Sequence, residues 1–105
     1  MAKYLFTYHG GAGMPETQEE IDAVVAAWGS WFESVGAATL DAGNPTGAAK
    51  TVAADGSVSD GSATGHTTGY GLFSADNHGA AVEIAKGCPV LSGGGSVEVY
   101  ETIDM

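Results

Sequence analysis

Lys3-Tyr4-Leu5-Phe6-Thr7-Tyr8-His9 decides how the rest of the chain is read. Successive side chains of a strand point to opposite faces. Tyr4, Phe6 and Tyr8 therefore share one face, and Leu5, Thr7 and His9 share the other. Both sets suit burial, so the segment reads as an inner strand with neighbours on either side. Gly10-Gly11-Ala12-Gly13-Met14-Pro15 breaks it.

Working outward, Thr17-Gln18-Glu19-Glu20 has capping-box spacing, and its acids fall in the turn where the helix dipole favours them. Ile21, Val24, Val25, Trp28, Phe32 and Val35 follow at the helical period and form one apolar stripe. Trp31 lies beside that stripe, the position of a residue that borders a cleft or a partner subunit. Gly36 fits the stop. Residues 37–43 read as a second strand ending at Gly43-Asn44-Pro45. Lys50–Ala54 and Ser57–Ser59 flank Asp55-Gly56, a strong two-residue hairpin signal. A polar, glycine-rich loop over 60–66 precedes a strand from Thr67 to Ala75. Asn77 caps a predicted helix over 78–86, with Ala81, Val82, Ile84 and Ala85 toward the core. Ser96 to Ile103 is the last strand. The order β-α-β, hairpin, β-α-β predicts an α+β fold, a ferredoxin-like split βαβ with an antiparallel sheet and an inserted hairpin. Two helices cover one face of such a sheet. The other face also carries apolar and aromatic residues, which predicts a second subunit over it.

Composition narrows the function classes. The chain has 105 residues, the size of one domain (1–105), and a domain this small buries only about two-thirds of its unfolded surface. Charged residues are 15%, against about 25% in typical soluble domains, while hydrophobic residues are 44%. Such a chain has several faces to hide. Three lysines stand against thirteen acids, a formal net charge of −10. Nucleic-acid binding needs a basic footprint, and anionic membranes attract basic segments, so neither partner is expected. The amino-terminal stretch lacks a long apolar run and reads as a strand of a cytoplasmic protein. Cys88 is the one cysteine, in Gly87-Cys88-Pro89, and reads as a small buried residue rather than a reactive thiol.

In order along the chain, several stretches resemble the YCII-related family, specifically its DGPF branch. They are Tyr8-His9-Gly10-Gly11, the helix with Trp28 and Trp31, Leu40-Asp41-Ala42-Gly43, Asp60-Gly61, Gly69-Tyr70, Ala75-Asp76-Asn77, Cys88-Pro89 and Gly94-Gly95-Ser96-Val97-Glu98-Val99. The resemblance implies a ferredoxin-like protomer assembled as a dimeric α+β barrel, in a bacterial cytoplasmic protein. Some relatives look like small lyase-type enzymes; others are companions of sigma factors. The enzyme-like members carry a histidine on the first helix, where this chain has Val25-Ala26-Ala27-Trp28. The Asp-Gly-Pro-Phe motif is here Asp60-Gly61-Ser62-Ala63.

His9 closes the first strand beside a glycine loop, where a ligand can approach the backbone. As a general base it needs a carboxylate to orient it, and Asp41 is the residue paired with it. The alternative is a strand-end histidine bonded to a loop carbonyl. Trp28, Trp31, Asp60, His66 and Tyr70 complete the candidate ligand-binding set, in a cleft between the first helix and the sheet. His78, at a helix start, reads as an exposed bystander. No His-x-x-x-His or Cys-x-x-Cys spacing supports a metal, and no P-loop or dinucleotide fingerprint supports a nucleotide, so no cofactor is expected. Three readings stay open: a homodimeric small-molecule binder with acid–base (lyase or isomerase type) activity, a non-catalytic interaction module, and a paralogue that keeps the dimer without a site.

Overall fold

The computed structural model describes residues 2–10, 16–63 and 65–104. Most of the predicted break at Gly10–Pro15 lies outside the described residues, which include only Gly10 of it. Strands β1 (Ala2–His9), β2 (Thr39–Asp41), β5 (Thr67–Ala75) and β6 (Ser96–Glu101) form one sheet in the order β2-β5-β1-β6. Every adjacent pair is antiparallel. Because β1 and β2 both oppose β5, they run parallel to each other with β5 between them, joined through helix α1 (Gln18–Val35). The same relation joins β5 to β6 through helix α2 (His78–Ala85). This α+β plan, an antiparallel sheet with two helices, is compatible with a ferredoxin-like fold. Strands β3 (Lys50–Val52) and β4 (Val58–Asp60) pair only with each other, around a turn in which Gly56 N donates to Ala53 O at 2.9 Å.

The inner strand is where its alternation puts it. Tyr4, Phe6 and Tyr8 are buried together with Trp31, Phe73, Ala75, Ala81, Ala85, Cys88 and Val90. Phe6 stacks on Phe73 with ring centroids 4.3 Å apart. Opposite Phe6 stands Gly71, and a Cβ there would lie 2.8 Å from the Phe73 ring and 3.1 Å from the Tyr8 hydroxyl. The large rings of β1 and β5 thus fit only because β5 alternates them with glycine.

Helix α1 starts as expected. Thr17 Oγ1 accepts from Glu20 N at 3.1 Å, while a Glu20 carboxylate oxygen accepts from the Glu16 and Thr17 amides. Its packing departs from the stripe. Trp31, set beside the stripe, is the residue the helix buries, and its Nε1 donates to Ile84 O at 3.2 Å. Trp28, Phe32 and Val35 are half-buried around it, whereas Ile21, Val24 and Val25 are 39, 45 and 66% exposed. Only the last turns of α1 meet the core, so the first half of the stripe has nothing among the described residues to bury against.

Two further boundaries shift for local reasons. Strand β2 is shorter than the predicted 37–43, because Gly36–Ala38 forms a 3-10 turn and the Asp41 carboxylate accepts from Gly43 N at 2.9 Å, turning the chain. Gly43 has φ +73°, and a Cβ there would run into the Tyr70 carbonyl. In α2, Ala81 and Ala85 are buried as expected, but Val82 is 39% exposed. Asn77 caps the helix, accepting from Ala80 N at 2.8 Å. His78 is exposed, yet its Nε2 donates to Val99 O at 2.9 Å and so ties α2 to β6.

Both helices lie on the Tyr4–Phe6–Tyr8 side of the sheet. The far face, with Leu5, Thr7 and His9 on β1, is covered by no other element among the described residues. The protomer is a slab of 44 × 41 × 19 Å with a radius of gyration of 15.1 Å. A compact domain of this length has about 13 Å. The excess comes from a two-layer construction with a free sheet face, a projecting α1 and a separate hairpin.

Candidate functional site

The register builds the open face as cross-strand rows. Leu72, Leu5 and Tyr100 face one another in one row, and Tyr70, Thr7 and Glu98 form the next. His9 follows, between Thr67 and Ser96, just past a bulge at Tyr8/His9. A row of apolar groups thus borders a row of hydroxyls and a carboxylate, with an imidazole at its end.

The polar groups are bonded to one another. His9 Nε2 lies 2.9 Å from Thr7 Oγ1 and 3.1 Å from Glu98 Oε1. The Tyr100 hydroxyl donates to the same Oε1 at 2.7 Å. On its other side, His9 Nδ1 donates to His66 O at 3.2 Å. With Nδ1 carrying that proton, a neutral ring accepts from the Thr7 hydroxyl at Nε2, and a protonated ring donates from Nε2 to Glu98. His9 has partners in both states, as a group that takes up and returns a proton requires. Its side chain is 23% exposed, against 56% for Glu98. The Tyr100 hydrogen bond chiefly, then His9 and Thr7, hold the Glu98 carboxyl below its usual range despite some desolvation. The same bond to Glu98, with lesser burial and charge effects, raises the Tyr100 phenol.

The predicted site residues divide between the two sides of the sheet. Tyr70 joins His9 on the open face, with its hydroxyl accepting from Asn44 Nδ2 at 3.4 Å. Asp41 sits on β2 opposite Leu72, at the sheet edge away from β6, and its carboxylate turns to Gly43 N. Glu98 takes the position beside His9 that was expected of Asp41. Trp28 and Trp31 pack against Tyr8 on the helix side, with ring centroids 5.0 and 6.4 Å away. One alternation separates Tyr8 from His9, so the tryptophans and the imidazole do not share a cleft. His66 is exposed and gives His9 a backbone carbonyl. Asp60 lies at the end of β4, paired with Lys50 at 2.6 Å. Thr7, Glu98 and Tyr100 went unassigned in the sequence. The two-residue spacing of Glu98 and Tyr100 puts them on one strand face, and a split βαβ order places that strand beside the first.

Cys88 is buried, and burial pushes its thiol up to about 11 against a partly opposing hydrogen bond from the Val90 backbone, so it stays protonated and unreactive. Among the described residues no group of three or more His, Cys, Asp or Glu could hold a metal ion. None of the helices among them is long and apolar enough to cross a membrane. A shallow groove of about 180 Å³ lies between α2 and β6, lined by Val82, Ala85, Lys86, Leu91, Val97 and Val99, and contains none of the candidate residues. Comparisons with protein-family models, curated proteins and solved structures find no match.

Proposed function

We propose that this protein is a small-molecule-binding homodimer of the YCII-related, DGPF-type kind, with ferredoxin-like protomers paired as a dimeric α+β barrel. Two open sheet faces meet across the dimer, and His9 is the acid–base group between them, oriented by Glu98. The observation that carries the reading is the bonded cluster of His9, Glu98, Thr7 and Tyr100 on a half-apolar sheet face that the protomer leaves uncovered. An elimination or isomerisation needs one base with a partner in each protonation state and an apolar surround, and this face supplies both. In this scheme Glu98 takes the orienting role expected of Asp41.

Two measurements test it. Sedimentation equilibrium at micromolar concentration gives a dimer; a monomer contradicts the pairing of faces. A thermal-shift panel of aromatic acids, aromatic amines and small metabolites then finds a stabilising compound, worth about 2.7 kcal/mol when present at 100 times its Kd. The shift falls away in His9→Ala and Glu98→Gln and persists in Asp41→Ala. If wild type responds to nothing, or His9→Ala responds as wild type does, the assigned site is wrong.

A second reading has its own observation. The exposed Ile21, Val24 and Val25 of α1 lie among Glu19, Glu20 and Asp22, an apolar strip with an acidic border. That surface suits a non-catalytic interaction module of the sigma-factor-associated type, with a basic-rimmed apolar groove on the partner. Val24→Asp abolishes such binding and leaves ligand shifts at His9 unchanged.

A further inference from the structure

Glu98 uses its two oxygens unequally. Oε1 accepts from the Tyr100 hydroxyl at 2.7 Å, faces His9 Nε2 at 3.1 Å and accepts from Thr7 Oγ1 at 3.5 Å. Among the described residues, Oε2 has no hydrogen-bond partner. The side chain is 56% exposed, and the Tyr100 hydrogen bond holds Oε1 whichever way the Thr7 hydroxyl proton points, so the carboxylate keeps its second oxygen accessible. Charge-assisted hydrogen bonds to a fixed carboxylate are the strong ones, and this acceptor is set before any ligand arrives.

The surroundings select what that ligand is. Beside the Glu98 row runs the apolar row of Leu72, Leu5 and Tyr100, about 7 Å along the strands, the spacing of same-face residues. Tyr70 and Tyr100 put aromatic rings on the same face, where a cation over a ring is attracted to its π-system. The chain carries a net −10, and the Lys3 ammonium stands at the far end of β1. An anion is repelled by Glu98 and by the field of the whole molecule, and a neutral body gains from neither. A cation gains from both.

We infer that the open face binds a protonated primary amine with an apolar aromatic body, its ammonium on Glu98 Oε2 and its ring over Leu5 and Leu72. This rests on the small-molecule reading of the same face and gives it a substrate class. A ligand amine there also lies beside His9, the group that could exchange a proton with the carbon or nitrogen next to it.

Three isosteric probes test the assignment by NMR titration at low salt and pH 7: phenethylamine, 2-phenylethanol and phenylacetate. Phenethylamine binds at least tenfold more tightly than the other two, shifts the Leu5 and Leu72 methyl signals, and weakens as salt is added. Glu98→Gln, which keeps an oxygen acceptor for Tyr100, loses at least tenfold in amine affinity. Glu33→Gln, an equal charge change on exposed α1, loses none. Equal binding by wild type and Glu98→Gln, or an equal loss in Glu33→Gln, overturns the assignment. Binding of the alcohol or the carboxylate as tightly as the amine overturns it while leaving the small-molecule reading in place. If all three fail to bind at millimolar concentration, the amine assignment falls, and the thermal-shift panel decides the small-molecule reading separately.

Discussion

Replacing Tyr8 by Phe should stabilise the protein. Tyr8 is 5% exposed, and its hydroxyl oxygen is buried with no hydrogen-bond partner. Burial, with a smaller contribution from Cys88, drives its phenol far above the ordinary value, so the group stays neutral across the working pH range. A buried hydroxyl without a partner costs about 1–3 kcal/mol in desolvation. Deleting the oxygen leaves a void of ~10 Å³, which at ~24 cal/mol per Å³ gives back only a few tenths of a kcal/mol. The ring contacts with Trp28 and Trp31 remain. The net gain is about 1 kcal/mol, which for a chain of this size raises Tm by about 4 °C or somewhat more. Urea unfolding at fixed protein concentration checks it through a higher midpoint at unchanged m-value, since self-association makes apparent stability concentration-dependent. A loss of about 1 kcal/mol in Tyr8→Phe would refute the reasoning, because only a hydroxyl with a real partner behaves that way.

Gly43→Ala combines a left-handed φ with a Cβ driven into the Tyr70 carbonyl, and lowers stability by more than about 1 kcal/mol in the same urea assay. Trp31→Ala costs about 3–5 kcal/mol, whereas Val25→Ala stays within about 0.5 kcal/mol in a monomeric sample; a larger loss at Val25 in a concentrated sample marks that face as covered. The folded Glu98 carboxyl titrates lower than the unfolded one, so its contribution to stability is present above the unfolded value of about 4.3 and is lost as pH falls through the lower folded value. Urea midpoints measured from pH 6 to pH 3 therefore fall less steeply in Glu98→Gln than in wild type.

Much of the frame was legible because it rests on local rules. Alternation in β1 grouped Tyr4, Phe6 and Tyr8 on one face, which the helices then cover, and the capping box at Thr17 and Glu20 began α1 where the chain begins it. The Asp55-Gly56 turn joined β3 to β4. Helix packing was less legible, because the period marks an apolar stripe without saying which turns find a partner. Trp31 won burial over Ile21 and Val25 through where α1 crosses the sheet, a tertiary matter. The site was half legible for a similar reason. Strand parity puts His9 with Leu5 and Thr7, but setting Tyr70 beside them needs the register, and choosing Glu98 over Asp41 needs the strand order, which sets β6 beside β1 and leaves β2 two strands away. A cleft between the first helix and the sheet would join Trp28 and Trp31 to His9, but the tryptophans pack on Tyr8 and the pleat puts His9 on the other face.

The two outer strands of the sheet bear on how this protein behaves at high concentration. One, β2, is only three residues long and ends in the Asp41 turn, too short to template a new strand. The other, β6, carries Glu98 and Glu101 along its six residues, in a chain already at −10. Charge and brevity at sheet margins discourage strand-by-strand growth. Sideways polymerisation into continuous sheet is therefore opposed at both ends, even though the described residues of one protomer leave a broad sheet face bare.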